Sequence, residues 1–291
     1  MTIEEAIQRA KRMGQARLQR QEPGAHPPAS DGSRAQDSGR ATARPMAPAV
    51  PLEPLGTVEI STVACEQNRV LLTESLQREY PAADAAYRLL RGRLQNRLKQ
   101  NNWFSLAVAS PSQADGKSLT FINLAVSIAR ERQKPVYLID LDMRNPSMCR
   151  FLGIRDIRPL SDYLGGQAKP EEVLAQTTFP NLIVAGAMAP VENASELLAG
   201  PKFSDLLAHI RLRSPNACVL LDLPPVNLTD EALLVGPRID AFLVVVSEGK
   251  TERKQLAQTL STLSEFKVAG VVVNKSSDSH TFEYTYSQYS A

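Results

Sequence analysis

Cysteine is scarce in this chain: Cys65, Cys149 and Cys218 are odd in number and widely spaced. They supply neither a disulfide framework nor a metal-ligand set, and they fit a reducing compartment. No apolar run approaches the roughly 20 residues needed to span a bilayer. The opening MTIEEAIQRAKRMG has no apolar centre of the kind a signal peptide needs. Neither sign of charge dominates, since 33 Lys and Arg against 31 Asp and Glu leave a formal charge of +2. General affinity for nucleic acid or a membrane surface therefore does not follow. No internal repeat is present, and no GxGxxG follows a strand pattern, which sets aside a dinucleotide oxidoreductase. The expectation is a soluble, cytoplasmic protein with no nucleic-acid partner, in which any membrane association comes through another protein.

The stretch that organises the chain is SLAVASPSQADGKSLTFIN, from Ser105 to Asn123. Leu106 to Ala109 reads as a buried strand, a polar loop ends in Gly116-Lys117-Ser118, and Phe121, Leu124, Ala125 and Ile128 share a helical face. Strand, loop, Gly-Lys-Ser and helix is the order of a phosphate-binding loop. Its N–H groups and the helix N-terminus concentrate positive charge at one point. Gln113, Ala114, Asp115, Gly116, Lys117, Ser118 and Leu119 are thus candidate nucleotide contacts. Lys117 adds a full charge for the β- and γ-phosphates, and the Ser118 hydroxyl can ligate Mg²⁺. Pro111 stands where the usual GxxxxGK[ST] pattern has its first glycine.

Two later strand ends carry acids. In YLIDLDMR, Tyr137 to Arg144, Asp140 and Asp142 follow an apolar strand. There they can hold Mg²⁺ through water or take a proton from an attacking hydroxyl. The plainer alternative is one acid capping the next turn and one in solvent. In VLLDLPP, Val219 to Pro225, Asp222 stands where a Walker B aspartate would orient magnesium-bound water. One such strand end is commonplace, but three in this order point to a nucleotide site. Lys117, Asp140, Asp142 and Asp222 are the catalytic candidates; Ser118, Asp142 and Asp222 are the cation ligands.

Around this site the chain divides into five segments. Residues 1–21 read as a basic amphipathic helix with a Thr2/Glu5 capping box. Docking on its own domain and docking on a partner or membrane surface are both open for it. Residues 22–56, rich in Pro, Ala, Gly, Ser and Arg, read as a flexible linker. Residues 57–102 hold an ambiguous arm, then an arginine-rich helix over 82–99 with Tyr87, Leu90, Leu94 and Leu98 on one face. From 103 to 278 strands are expected at 104–109, 136–140, 181–185, 218–222, 241–246 and 269–273. Helices are expected near 118–132, 196–210 and 251–266. The strands are apolar without polar alternation, as strands covered on both faces are. The fold class is α/β, a P-loop NTPase with a doubly wound, mostly parallel sheet whose ligands meet the carboxyl ends of its strands. Residues 279–291 form a polar tail with Tyr284, Tyr286 and Tyr289, three of only seven tyrosines.

The Walker A loop, the Asp-x-Asp-x-Arg strand end and the Asp-x-Pro-Pro strand end together resemble the bacterial tyrosine kinases of capsule and exopolysaccharide synthesis. So do Asn123-Leu124-Ala125, Asn193 to Leu198, Thr229-Asp230 and Gly270 to Lys275. The likeness runs from about Tyr87 to the C-terminus. The basic N-terminal helix, the Pro/Ala linker and Phe121 to Ala129 are closest to the autokinases of exosortase-associated (PEP-CTERM) exopolysaccharide loci. The resemblance implies ATP- and Mg²⁺-dependent tyrosine autophosphorylation, control of polysaccharide polymerisation and export, and a membrane partner of the chain-length-determinant, or polysaccharide co-polymerase, type. It places Lys117 on phosphate, Ser118 on Mg²⁺, Asp140 or Asp142 as base, and Asn274 near the adenine. It makes Tyr284, Tyr286 and Tyr289 the acceptors, phosphorylated in trans. Two positions depart from the family pattern. Ala114 replaces a loop glycine, and Ala85 stands where the oligomerisation motif has Glu, with Asp84 beside it. A homo-oligomer and a non-catalytic, nucleotide-responsive adaptor are therefore both open. A Min/Par-type partitioning ATPase has an extra lysine five residues before the loop lysine, where this chain has Ser112.

Overall fold

Eight strands form one sheet in the computed structural model, which describes residues 55–276. In chain order they are β1 (Gly56–Val58), β2 (Ser105–Ala109), β3 (Val136–Asp140), β4 (Ala175–Thr177), β5 (Leu182–Ala185), β6 (Cys218–Asp222), β7 (Ala241–Ser247) and β8 (Val268–Asn274). Their spatial order is β1-β4-β5-β3-β6-β2-β7-β8. The six strands from β5 to β8 in that order are parallel throughout; β4 runs antiparallel to β5, and β1 parallel to β4. All six strands expected from the sequence are present.

Alternate residues of each central strand feed opposite faces, which is why the sequence shows apolar runs instead of alternation. Tyr137, Ile139, Val219, Leu221, Phe242 and Val244 join the core on one side. Leu106, Val108, Leu138, Leu220, Leu243 and Val245 join the core on the other, together with Phe121, Leu124 and Ile128 of the helix Lys117–Ala129. That helix lies between the sheet and the long helix Pro81–Asn101, so its apolar surface extends nearly all the way round.

Several expectations need correction. The helix expected near 196–210 is two, Ala194–Ala199 and Lys202–Arg213. Pro201 forces the preceding residue out of the helical region, and Gly200 is extended at φ −64°, ψ 166°. The helices near 118–132 and 251–266 are shorter than expected, ending at Ala129 and Thr262. The ambiguous arm resolves into β1 and two short helices, Thr62–Gln67 and Glu74–Glu79, capped by the Ser61 and Thr73 hydroxyls. Asn123 fastens the arm: its Oδ1 accepts Leu71 N–H at 2.7 Å and its Nδ2 donates to the Arg69 carbonyl at 3.2 Å. The N-terminal helix, most of the linker, and Tyr284, Tyr286 and Tyr289 lie outside the described residues.

Candidate functional site

The chain leaves β2, runs through the loop and the helix Lys117–Ala129, and enters β3 one place away, leaving a slot that β6 fills. The loop therefore rises over the carboxyl end of β6. Residues 136, 138 and 140 share a strand face, as do 218, 220 and 222. Val136, Leu138, Cys218 and Leu220 pack on the loop-helix side. Parity then puts Asp140 and Asp222 on that side too, and register sets them next to each other on adjacent strands. Asp142 follows two residues beyond β3.

Lys117, in the first turn of the loop helix, reaches these acids. Its Nζ donates a very short hydrogen bond to Asp222 Oδ1, and lies 3.7 Å from Asp142 Oδ2 and 3.4 Å from Ser118 Oγ. Asp222 is fully buried, and its Oδ2 has no hydrogen-bond partner among the described residues. Asp140 is buried as well, but its oxygens are taken. Oδ1 accepts Asp142 N–H, and Oδ2 accepts the N–H groups of Ser147 and Met148, all at 3.0 Å. Burial and the neighbouring Asp222 raise its pKa to about 7, against the opposing pull of those amides and Lys117. Burial also raises the Asp142 carboxyl, with Lys117 opposing.

A groove of ≈ 450 Å³ opens beside this cluster. The expected residues Gln113, Ala114, Gly116, Lys117, Ser118, Leu119 and Asp142 line it, along with Arg144, Arg150, Phe151, Pro224 and Pro225. Asp222 and Asp140 are buried and do not line it. Asp115 and Asn274 stand behind its wall, where Asn274 Nδ2 donates to the Asp115 carbonyl at 3.0 Å. Gly116 has φ +85° and a Cβ there would sit 1.9 Å from Asn274 Nδ2, so both backbone angle and space demand glycine. Ala114 adopts φ +61° despite its side chain. A second hollow of ≈ 490 Å³ adjoins the groove and shares Arg144, Leu228 and Thr229. Arg144 Nε there meets buried Glu231 Oε1 at 3.2 Å, and Ser195 Oγ donates to the same acid at 3.0 Å.

Sequence reasoning missed Lys250, Thr251 and Lys275, which hold the loop from outside, and Arg150 and Phe151 on the groove wall. Lys275 adjoins Asn274 and could have been found from it. Nothing in the polar run after β7 signals that Lys250 and Thr251 reach a loop more than 130 residues earlier. No cluster of three or more His, Cys, Asp or Glu side chains suited to a metal occurs among the described residues, so any cation here would also need the Ser118 hydroxyl, phosphate or water. No helix among them is long and apolar enough to cross a membrane.

Residues 106–290 match the family model of the CobQ/CobB/MinD/ParA nucleotide-binding domain. The tyrosine-protein kinase CpsD of Streptococcus agalactiae serotype Ia is 27% identical over 214 residues, which is 72% of this chain and 90% of that protein. CpsD of Streptococcus pneumoniae serotype 4 is 30% identical over 173 residues, 58% of this chain and 75% of that protein. Among solved structures, the kinase domain of the Escherichia coli tyrosine kinase ETK superposes with a TM-score of 0.63 at 23% identity. It covers 77% of this chain and 92% of that one. A nucleotide loop over paired strand-end acids, with these relatives at these coverages, shows that the chain belongs to the CobQ/CobB/MinD/ParA nucleotide-binding family and, within it, to the bacterial tyrosine kinases.

Proposed function

We propose that this protein transfers the γ-phosphoryl group of ATP to tyrosine, with Tyr284, Tyr286 and Tyr289 of another copy as acceptors. The transfer would serve the control of exopolysaccharide polymerisation and export. The observation that carries this reading is the meeting of Lys117, Ser118, Asp142 and Asp222, from three separate strand ends, at one groove. Loop N–H groups would receive the β-phosphate, and Lys117 would exchange its carboxylate partners for phosphate oxygens.

The unpartnered Asp222 Oδ2 fits a divalent cation: an anionic oxygen buried without a donor is satisfied by a metal or its bound water. Ser118, Asp142 and Asp222 would hold Mg²⁺, which when bound neutralises charge on the β- and γ-phosphates. The acceptor phenol oxygen bonds to the γ-phosphorus, the bond to the β-phosphate oxygen breaks, and ADP leaves. Asp142, the strand-end acid on the groove wall, would take the phenolic proton. Asp140, with both oxygens engaged by backbone amides, would position the Asp142–Met148 loop.

Residues 1–21 and the linker that precedes Leu55 and β1 would act as docking helix and spacer toward a membrane chain-length-determinant partner at the cytoplasmic face of the inner membrane. Asp84 pairs within its own chain, with Arg88 at 2.5 Å and Arg130 at 3.5 Å. Homo-oligomer formation would therefore draw on other groups of the arginine-rich helix. Ala114 in a left-handed conformation favours one alternative, a nucleotide-responsive adaptor without transferase activity.

Phosphopeptide mass spectrometry on the full chain incubated with Mg-ATP decides between them. The kinase reading expects phosphate on the tail tyrosines and its loss in Lys117→Ala. No phosphotyrosine even with the membrane partner present, and partner binding that survives Lys117→Ala, would establish the adaptor instead.

A further inference from the structure

Asp115 lies inside the phosphate loop, yet its carboxylate turns away from the groove and is 1% exposed. Oδ2 accepts Ser112 N–H at 3.0 Å, and Oδ1 accepts the Thr251 hydroxyl at 3.0 Å. Thr251 Oγ1 in turn accepts Ser247 N–H at 2.8 Å. Every direction in this chain is forced, because a carboxylate only accepts, an amide N–H only donates, and the hydroxyl between them does one of each. The result is a continuous tie from the end of β7 to the middle of the loop.

Three successive loop carbonyls are also held from outside. Lys250 Nζ donates to Gln113 O at 2.9 Å, Lys275 Nζ to Ala114 O at 2.8 Å, and Asn274 Nδ2 to Asp115 O at 3.0 Å. In a trans planar peptide the N–H points opposite to its carbonyl. Pulling these carbonyls outward therefore turns the N–H groups of Ala114, Asp115 and Gly116 toward the groove. Ala114 at φ +61° resists this shape, since a side chain disfavours the left-handed region.

We propose that Asp115 and Thr251 are positioning residues. They lock the loop in its phosphate-receiving shape, so that nucleotide affinity depends on two side chains that face away from the nucleotide. The proposal rests on the nucleotide reading of the groove given above. It assigns the carboxylate of Asp115 a task the backbone contacts of the loop do not include, and it makes the β7 exit part of the phosphate grip.

The test is titration of the full chain with fluorescent mant-ADP and mant-ATP in Mg²⁺, for wild type, Thr251→Val, Thr251→Ser and Asp115→Asn. Loss of the hydroxyl's hydrogen bond to the Asp115 carboxylate, together with the bond it accepts from Ser247 N–H, predicts affinity about tenfold or more weaker in Thr251→Val, and within about twofold of wild type in Thr251→Ser. Asp115→Asn should weaken binding like Thr251→Val, because an amide offers one acceptor where two donors need one each. Hydrogen exchange of residues 111–117 in the nucleotide-free protein should quicken in Thr251→Val and stay at the wild-type rate in Thr251→Ser. A thermal melt on each variant separates loop loosening from loss of fold.

Equal affinity in wild type and Thr251→Val, or an equal loss in Thr251→Ser, overturns the proposal and leaves the proposed function standing. If wild type binds no nucleotide, the proposed function falls, and the exchange rates alone decide whether the brace exists.

Discussion

Asp140 shows how a motif position can be legible while its task is not. The sequence offered it and Asp142 as alternative bases, and the spacing alone could not separate them. Three backbone N–H groups close on Asp140, whereas Asp142 faces the groove. The buried carboxyl also has a thermodynamic consequence. Its folded pKa of about 7 lies above the ordinary aspartate value of 3.8, so the folded state holds a proton that the unfolded chain releases. The Asp140 share of stability is fully present below about pH 4 and is lost as pH rises through about 7. Urea midpoints measured from pH 4.5 to 8 should fall with rising pH, and less steeply in Asp140→Asn. The slope should not vanish, because burial raises Asp142 too. The variant should also be weaker below about pH 7, since an amide offers one acceptor oxygen where backbone N–H groups close on both oxygens of Asp140. Equal slopes in the two proteins would show that Asp140 does not carry the proton.

The short helix Met148–Leu152 is fixed at both ends. Asp140 accepts the N–H groups of Ser147 and Met148 at its start, and Gly153, at φ +64°, turns the chain at its end. A Cβ at Gly153 would lie 2.5 Å from Ser61 Cβ and 2.6 Å from Ala64 Cβ, in the arm helix. Gly166 has φ +83° but open space around it. Gly153→Ala should therefore cost about 2–4 kcal/mol, conformational strain plus overpacking, and Gly166→Ala only about 1–2 kcal/mol. Comparable urea midpoints for the two variants would remove the packing part of that argument. These elements also mark where sequence reading stopped. The six expected strands, β2, β3 and β5 to β8, were visible because each is an apolar run of four or more residues. β1 and β4, three residues each, carry no period to detect, and β4 pairs antiparallel through a register that no local signal announces. The Asn123 clip on the arm and the Asp115–Thr251 tie join residues 52 or more positions apart, so spacing motifs cannot reveal them.

In the molecule as a whole, one end of the sheet holds a concentration of buried charge that an apolar interior would not tolerate alone. Asp140, Asp142 and Asp222 gather around a single lysine, and one Asp222 oxygen has no hydrogen-bond partner among the described residues. Two long apolar faces of the sheet offset that cost, at roughly 25 cal/mol per Å² of apolar surface removed from water. A ligand that supplies positive charge and phosphate oxygens together should relieve the strain and stabilise the fold. By mass action, Mg-ATP at 100 times its dissociation constant should add about 2.7 kcal/mol, and chelating Mg²⁺ should remove part of that gain. The thermal midpoint of the full chain should rise with Mg-ATP, rise less with ATP and EDTA, and stay unchanged for Lys117→Ala in either. An identical rise in wild type and Lys117→Ala would place the nucleotide elsewhere on the surface. The strand-end acids would then be a structural cluster whose charges Lys117 merely balances.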